Sequence, residues 1–197
     1  MNLIGTKEFE TSRLLLRRIR ENDYIDAFNN WCSDPDVARY TLWKKHINME
    51  VTKTLFNIWM DDYKNNDTFR WIVELKNTHE LIGTIDVASK KYLPFGVVEI
   101  GYCYGKKFWN NGYGTEALKG VIKYLFDEVD VDLICADHMS HNPNSGRVMK
   151  KAGMTYEGIQ RGRVLDNDGI RNDLISYSIT KEEYLNNKEY YETEKLG

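Results

Sequence analysis

Glu99-Ile-Gly-Tyr-Cys-Tyr-Gly-Lys-Lys-Phe-Trp-Asn-Asn-Gly-Tyr-Gly-Thr-Glu-Ala117 is the stretch on which the fold turns. A strand over Val97 to Tyr104 runs into Gly112-x-Gly114, and a helix over Thr115 to Val129 begins at once. Its apolar positions, Ala117, Leu118, Val121, Ile122, Leu125 and Phe126, recur at helical spacing. Glycines let a backbone approach a ligand closely, and the first-turn N–H groups of a helix have no partners within it. Those donors, at the positive end of the helix dipole, suit a phosphate or pyrophosphate. A plain tight turn into a helix would use the same glycines. A Walker loop is excluded because no Lys follows Gly114 at the required place. A dinucleotide fingerprint would put Ala117 at its third glycine. However, the loop follows antiparallel-looking strands, and no acidic residue closes the next strand.

Outward from this unit the pattern stays mixed. Val131 to Asp137 reads as a short buried strand, and Asn144 to Ala152 as a helix stopped by Gly153. Two last strands, near Tyr156 to Leu165 and Arg171 to Ile179, flank an Asp-Asn-Asp-Gly169 turn. Upstream, Phe69 to Leu75 alternates as a strand and pairs across a polar turn with Leu81 to Ala88. Arg13 to Arg20 is of β type. Helices are expected from Asn22 or Asp23 through Trp31, and from Asn48 to Tyr63 with Val51, Leu55, Ile58 and Trp59 on the apolar face. Thr180 and Glu183 form a capping-box pattern that opens a charged, Tyr-rich tail over 180–197. The class expected is a single α+β domain over 1–197, with its core at about 9–179.

At 197 residues, 42% hydrophobic, 29% charged and −3 in net charge, the chain reads as globular. Near-neutral charge speaks against nucleic acid as the main ligand. No apolar run approaches the roughly 18 residues of a membrane helix, and the first ten residues do not read as a signal peptide. Cys32, Cys103 and Cys135 lie far apart without a CxxC, so a cytoplasmic protein with neither disulfide scaffold nor metal site is expected.

The loop Trp109-Asn110-Asn111-Gly112-Tyr113-Gly114 resembles motif A of the GNAT superfamily of acyl-CoA-dependent N-acetyltransferases. Together with Ile-Gly-Tyr at 100–102 and Thr-Glu-Ala at 115–117, it is similar to the branch holding the ribosomal-protein N-terminal (alanine/serine) acetyltransferases. Asn142-Pro-Asn-Ser145 with Lys151, Gly153 and Met154 resembles that branch's N-x-x-S-x-x-x-x-x-K-x-G-F signature, with Met for Phe. Glu157-Gly158, Arg171-Asn-Asp173 with Tyr177, and Phe9-Glu-Thr-Ser-Arg-Leu-Leu-Leu-Arg17 follow the same family order. The resemblance implies a mixed, mostly antiparallel central sheet with flanking helices. Its parallel pair, near 97–104 and 131–138, would splay to admit acetyl-CoA.

By that resemblance, backbone groups of Tyr102, Cys103 and Tyr104 bond the pantetheine arm. Amides from Asn110 through Asn111, Gly112, Tyr113 and Gly114 to Thr115 hold the pyrophosphate, with Trp109 opening the loop. Ser145 is the candidate proton donor to the CoA sulfur, and Asn142 orients the pantetheine or the helix of Ser145. As residues, both are equally good helix caps. Glu99 stands where many superfamily members carry a catalytic carboxylate, although strand parity sets it opposite Tyr102 and Tyr104. In the ribosomal enzymes a Glu seven residues beyond the Glu-Gly pair is implicated; that place here is Val164. Asp86, Glu157 and Asp173 are other nearby carboxylates. Trp43, His46 and Trp59 are candidates for an aromatic acceptor pocket, and Lys106 and Lys107 for the CoA phosphates. Cys103 would lie near the acetyl group, yet direct transfer needs no acyl-cysteine.

The expected activity is direct acetyl transfer from acetyl-CoA, without metal, to a primary amine in a ternary complex. The acceptor is a protein N-terminus or a small amine, including an antibiotic amine. A non-catalytic acyl-CoA sensor is the reading from another class. A homodimer is compatible with the tail tyrosines Tyr184, Tyr190 and Tyr191.

Overall fold

A computed structural model of the chain describes residues 1–192. Residues 193–197 of the expected tail lie outside the described residues. Eight strands form one sheet: β1 (Phe9–Glu10), β2 (Leu14–Arg17), β3 (Arg70–Leu75), β4 (Leu81–Ser89), β5 (Val97–Tyr104), β6 (Leu133–Met139), β7 (Thr155–Leu165) and β8 (Arg171–Thr180). Their order is β1-β2-β3-β4-β5-β6-β8-β7, and β5–β6 is the parallel pair. That ladder holds only Val97↔Leu133, Val98↔Ile134 and Glu99↔Cys135. Beyond Glu99 the two strands part, while β5 stays paired to β4 up to Tyr104↔Gly83 and β6 to β8 up to Met139↔Leu174. The expected splay is therefore present.

Helices cover both faces. On the N-terminal side lie α1 (Asp23–Ala27), continued by a wider π-type turn through Cys32, then α2 (Pro35–Ala38) and α3 (Met49–Asp62). α4 (Tyr113–Tyr124), extended by a second such turn to Val129, and α5 (Pro143–Lys151) cover the other face. All six apolar positions expected on α4 are buried, and they join Leu16, Trp71, Ile85, Ile100 and Ile134 in the main core. Burying a Leu, Ile or Val side chain is worth about 1.5–3 kcal/mol, so this stripe fixes α4 against the sheet. The smaller core on the other face joins Trp31, Cys32 and Phe56 to Ile72 and Leu81.

α3 differs from expectation in its face rather than its extent. Thr52 and Phe56 are its buried residues, whereas Val51 and Ile58 are 40% and 55% exposed. The apolar count along α3 misled because Thr52, which is polar, occupies the inner face beside Cys32 and His46. The tail also differs. The capping box at Thr180 opens α6 (Lys181–Asn186), and α7 spans Glu189–Glu192. Tyr184 stacks on Phe126 at 4.8 Å, and the buried Tyr191 donates to the Ala152 carbonyl at 2.9 Å. Both rings thus belong to this chain's own core and are not a self-association surface.

A buried ionic cluster sets the N-terminal strands. The Arg17 guanidinium donates to Asp23 at 2.7 and 3.0 Å and to Glu74 at 2.7 Å, and all three residues are buried. Removing the cation alone would leave two carboxylates facing each other out of water. Arg17→Met is expected to lower the unfolding free energy by roughly 3–5 kcal/mol, read as the midpoint shift in urea denaturation; an unchanged midpoint would contradict this role.

Candidate active site

The parting of β5 and β6 leaves the β5 backbone from Ile100 to Tyr104 without a strand on its β6 side. Backbone N–H and C=O groups demand partners, so this internal edge is a ready template for an extended amide-bearing chain. The indole N–H of Trp109 takes one of its acceptors, donating to the Tyr104 carbonyl at 2.8 Å.

At its end the edge runs into the glycine loop. Asn110 and Gly112 have φ of +62° and +82°, and Gly112, the N-cap of α4, makes no side-chain cap bond. The first turn of α4 therefore offers its amides outward. An ideal Cβ on Gly114 would sit 3.2 Å from the Tyr104 ring, so the loop lies flat on that ring.

Glu116 stands in the same first turn, where a free carboxylate would repel an anion. It is 5% exposed and is clasped from the N-terminal strands. Thr11 Oγ1 donates to it at 2.6 Å, the Arg13 amide at 2.7 Å and Arg13 Nε at 2.6 Å. Arg13 also donates to the Asn111 carbonyl at 3.1 Å and lies over the Tyr113 ring at 4.6 Å. Thr11 and Arg13 thus hold the loop in place. Reading the motifs one by one missed them, although an acidic residue at the start of an anion-binding helix implies a cation nearby.

Asn142 caps α5, its Oδ1 accepting the Ser145 N–H at 3.4 Å, with Pro143 in the first turn. Ser145 is not the cap. Its hydroxyl meets the Tyr102 hydroxyl at 2.8 Å, and the Tyr102 hydroxyl also donates to the Ser145 carbonyl at 3.0 Å. Gly146 lets α5 sit against β6, because a Cβ there would fall 2.4 Å from His138 Nε2.

One cleft of about 330 Å³ joins these parts. Tyr102, Cys103, Tyr104, Trp109, Asn110, Gly112, Tyr113, Gly114, Thr115, Asn142 and Ser145 all line it. Asn111 is outside the lining and meets the loop through the Trp109 carbonyl and Arg13. Arg147 and Lys151 supply cations along α5. Lys106 and Lys107 do not, being paired with Asp36 at 2.5 Å and Glu80 at 2.9 Å. Val37, Tyr40 and Thr41 form the far wall, where the edge of Tyr40 faces Trp109 at 6.0 Å. Trp43, His46 and Trp59 stand outside the lining, with His46 bonded to Thr52 at 2.7 Å. Among the described residues lining the cleft, none is Asp or Glu.

Glu99 faces elsewhere. It lines a second hollow with Asp137 and Glu157, and burial, then the nearby Asp137 charge, raises its carboxyl above the usual value. The register shift beside it falls on β4, between Val87 and Ser89, so β5 keeps its alternation and holds Glu99 opposite Tyr102. Asp86 pairs with Arg70 at 3.1 Å, and Asp173 accepts the Gly162 N–H at 2.7 Å. Val164 pairs with Asn172 between β7 and β8. Burial raises the Cys103 thiol far above its ordinary value, so it is no thiolate nucleophile at neutral pH.

A sequence model described as an acetyltransferase (GNAT) domain matches residues 13–155. The chain belongs to the GNAT acetyltransferase family. It is 31% identical over 174 residues to the uncharacterized N-acetyltransferase YoaA of Bacillus subtilis, covering 87% of this chain and 96% of the relative. It is 29% identical over 101 residues to the [ribosomal protein uS5]-alanine N-acetyltransferase of Escherichia coli, 51% of this chain and 52% of that one. A GNAT-family acetyltransferase structure from Bacillus anthracis aligns with a TM-score of 0.78 at 28% identity, covering 89% and 99% of the two chains. The chain is thus an acyltransferase of the N-acetyltransferase type, with the single GNAT-like domain its motifs imply. Among the described residues no helix is long and apolar enough to cross a membrane, and no group of His, Cys, Asp and Glu is arranged to hold a metal ion.

The GNAT loop conformation makes Gly112 sensitive. A Cβ there meets the Arg13 guanidinium at 3.4 Å, and the left-handed backbone costs a non-glycine residue about 1–2 kcal/mol. Gly112→Ala should weaken CoA binding about ten-fold in calorimetry. A full-affinity variant would show that the loop does not carry the pyrophosphate.

Proposed function

We propose that the chain transfers the acetyl group of acetyl-CoA directly to the primary amine of a monoamine acceptor, either a peptide α-amine or a small amine of low basicity. Pantetheine pairs with the open β5 edge at Tyr102 to Tyr104, and the pyrophosphate rests on the amides from Asn110 to Thr115. Ser145 then stands where its hydroxyl meets the sulfur. The amine attacks the thioester carbon, the C–S bond breaks with its electron pair on sulfur, and Ser145 supplies a proton there. The proton the amine loses goes to water and water returns one to Ser145, so the net products are the amide and the CoA thiol.

The observation that carries the choice of acceptor is that the described residues lining the cleft include no carboxylate. A polycation would need several converging acidic groups, and a lysine amine with pKa near 10.4 would need a strong base. An α-amine near 7.7–8.0 already has a useful neutral fraction at neutral pH. The aromatic far wall of Tyr40 and Trp109 suits an apolar acceptor body. Similarity to an enzyme named a ribosomal protein uS5-alanine N-acetyltransferase agrees with this, while Val164 departs from the ribosomal pattern and leaves the acceptor protein unspecified.

Release of CoA is the test, with peptides bearing a free α-amine, α-blocked lysine peptides, polyamines and aminoglycosides. Transfer confined to α-amines and weakly basic monoamines is expected. Its kcat/KM should rise about ten-fold per pH unit below the acceptor pKa and level off above it. Preference for polyamines or aminoglycosides would overturn the acceptor assignment. Binding of acetyl-CoA without transfer to any amine would make the chain a sensor. Ser145→Ala should keep the Kd for acetyl-CoA and lower kcat by about ten- to a hundred-fold.

A further inference from the structure

Tyr102 enters the family resemblance only through its backbone, yet its side-chain hydroxyl lies 2.8 Å from the Ser145 hydroxyl. The ring projects from β5 on the face covered by α4 and α5, and its hydroxyl reaches α5, the helix that follows β6. It thus spans the gap that opens where β5 and β6 part.

The two hydrogen bonds at this hydroxyl are not equivalent. A phenol carries one proton, and the Ser145 carbonyl can only accept. When Tyr102 donates to that carbonyl, at 3.0 Å, its oxygen is left to accept the Ser145 proton across 2.8 Å. In that arrangement the Ser145 proton is held by the Tyr102 oxygen. When a sulfur bearing negative charge lies in the cleft, the Ser145 proton turns to it. The Tyr102 proton can then swing from the carbonyl to Ser145 Oγ. Both rotors move without any heavy atom shifting.

We propose that Tyr102 is the positioning residue for Ser145, switching its hydroxyl proton from the Ser145 carbonyl to the Ser145 Oγ as the CoA thiolate forms. Tyr102 gives a hydrogen bond and keeps its proton; the charge it offsets is the one Ser145 Oγ gains while its own proton is drawn toward sulfur. Burial raises the Tyr102 phenol well above its ordinary value, with the Ser145 bond opposing, so it remains protonated throughout. Chained hydrogen bonds polarise one another, and a bond to a charged group is about twice as strong as a neutral one. This inference rests on the acetyl-transfer reading for its kinetics, but its effect on a bound thiol needs no acceptor.

Two measurements test it on the full chain. The first follows thiolate ultraviolet absorbance of bound CoA against pH, referenced to the same protein carrying dethio-CoA. The unaltered protein should lower the apparent pKa of the thiol relative to free CoA. Tyr102→Phe, which keeps the ring, should return it by roughly one pH unit, as Ser145→Ala does. The double variant should go no further than Ser145→Ala alone. The second is steady-state kinetics with any acceptor that is acetylated: Tyr102→Phe should lower kcat about ten-fold with KM for acetyl-CoA unchanged. A Tyr102→Phe protein with unaltered thiol titration, or a double variant whose effects add, would overturn the proposal. If no amine is acetylated, the acetyl-transfer reading falls, while the thiol titration still decides the role of Tyr102. A purely structural Tyr102 would change stability or KM and leave the thiol titration where it was.

Discussion

The parallel ladder between β5 and β6 ends after three residue pairs, and the rest of the site follows from that ending. A strand inside a sheet normally satisfies its backbone on both sides. Here β5 is satisfied on the β4 side only beyond Glu99, and β6 on the β8 side. The unmet backbone groups lie between two covered faces, where an extended, amide-rich arm can complete the ladder. The α4 and α5 N-termini open onto the same gap, since each helix follows one of the two parting strands. A helix N-terminus with free amides, an open strand edge and the Ser145 hydroxyl thus meet in one cleft because of one interrupted pairing.

Keeping such a gap open requires support from outside it, and the N-terminal strands give it. Glu116 would be an unfavourable neighbour for phosphate were it free, but Thr11 and Arg13 consume its lone pairs and its charge. The same guanidinium grips the loop at the Asn111 carbonyl. Arg17, farther along the same segment, ties β2 to β3 and α1 through Glu74 and Asp23. The opening motif therefore braces the glycine loop and the N-terminal helix α1 with residues four positions apart.

The electrostatics of the two hollows separate roles that the sequence leaves together. Glu99, Asp137 and Glu157 share one hollow, whereas among the described residues the charged lining of the cleft with Ser145 is Arg147 and Lys151. A cationic rim suits the phosphates of CoA, and a carboxylate-free interior favours an acceptor that reaches it already neutral. In that environment the Tyr102 and Ser145 hydroxyls form a hydrogen-bonded pair on the cleft wall.

The sequence alone determined the strand, glycine loop and helix at 97–129, the α4 stripe, the capping box at Thr180 and the final hairpin. These depend on local periodicity and turn chemistry, which are written along the chain. It also marked Ser145 and Asn142, because a motif preserves spacing within one helix. Only the tertiary structure decided which carboxylates share a cleft, since that depends on strand parity and on β4, not β5, absorbing the register shift. It decided the inner face of α3, where Thr52 outranks Val51 and Ile58 because burial follows contact with Cys32 and His46 rather than side-chain polarity. It turned Tyr184 and Tyr191 inward, and it brought Arg13 to Glu116 and Tyr102 to Ser145. Each of those pairs joins residues dozens of positions apart, and no local pattern encodes contacts made only when sheet and helices pack.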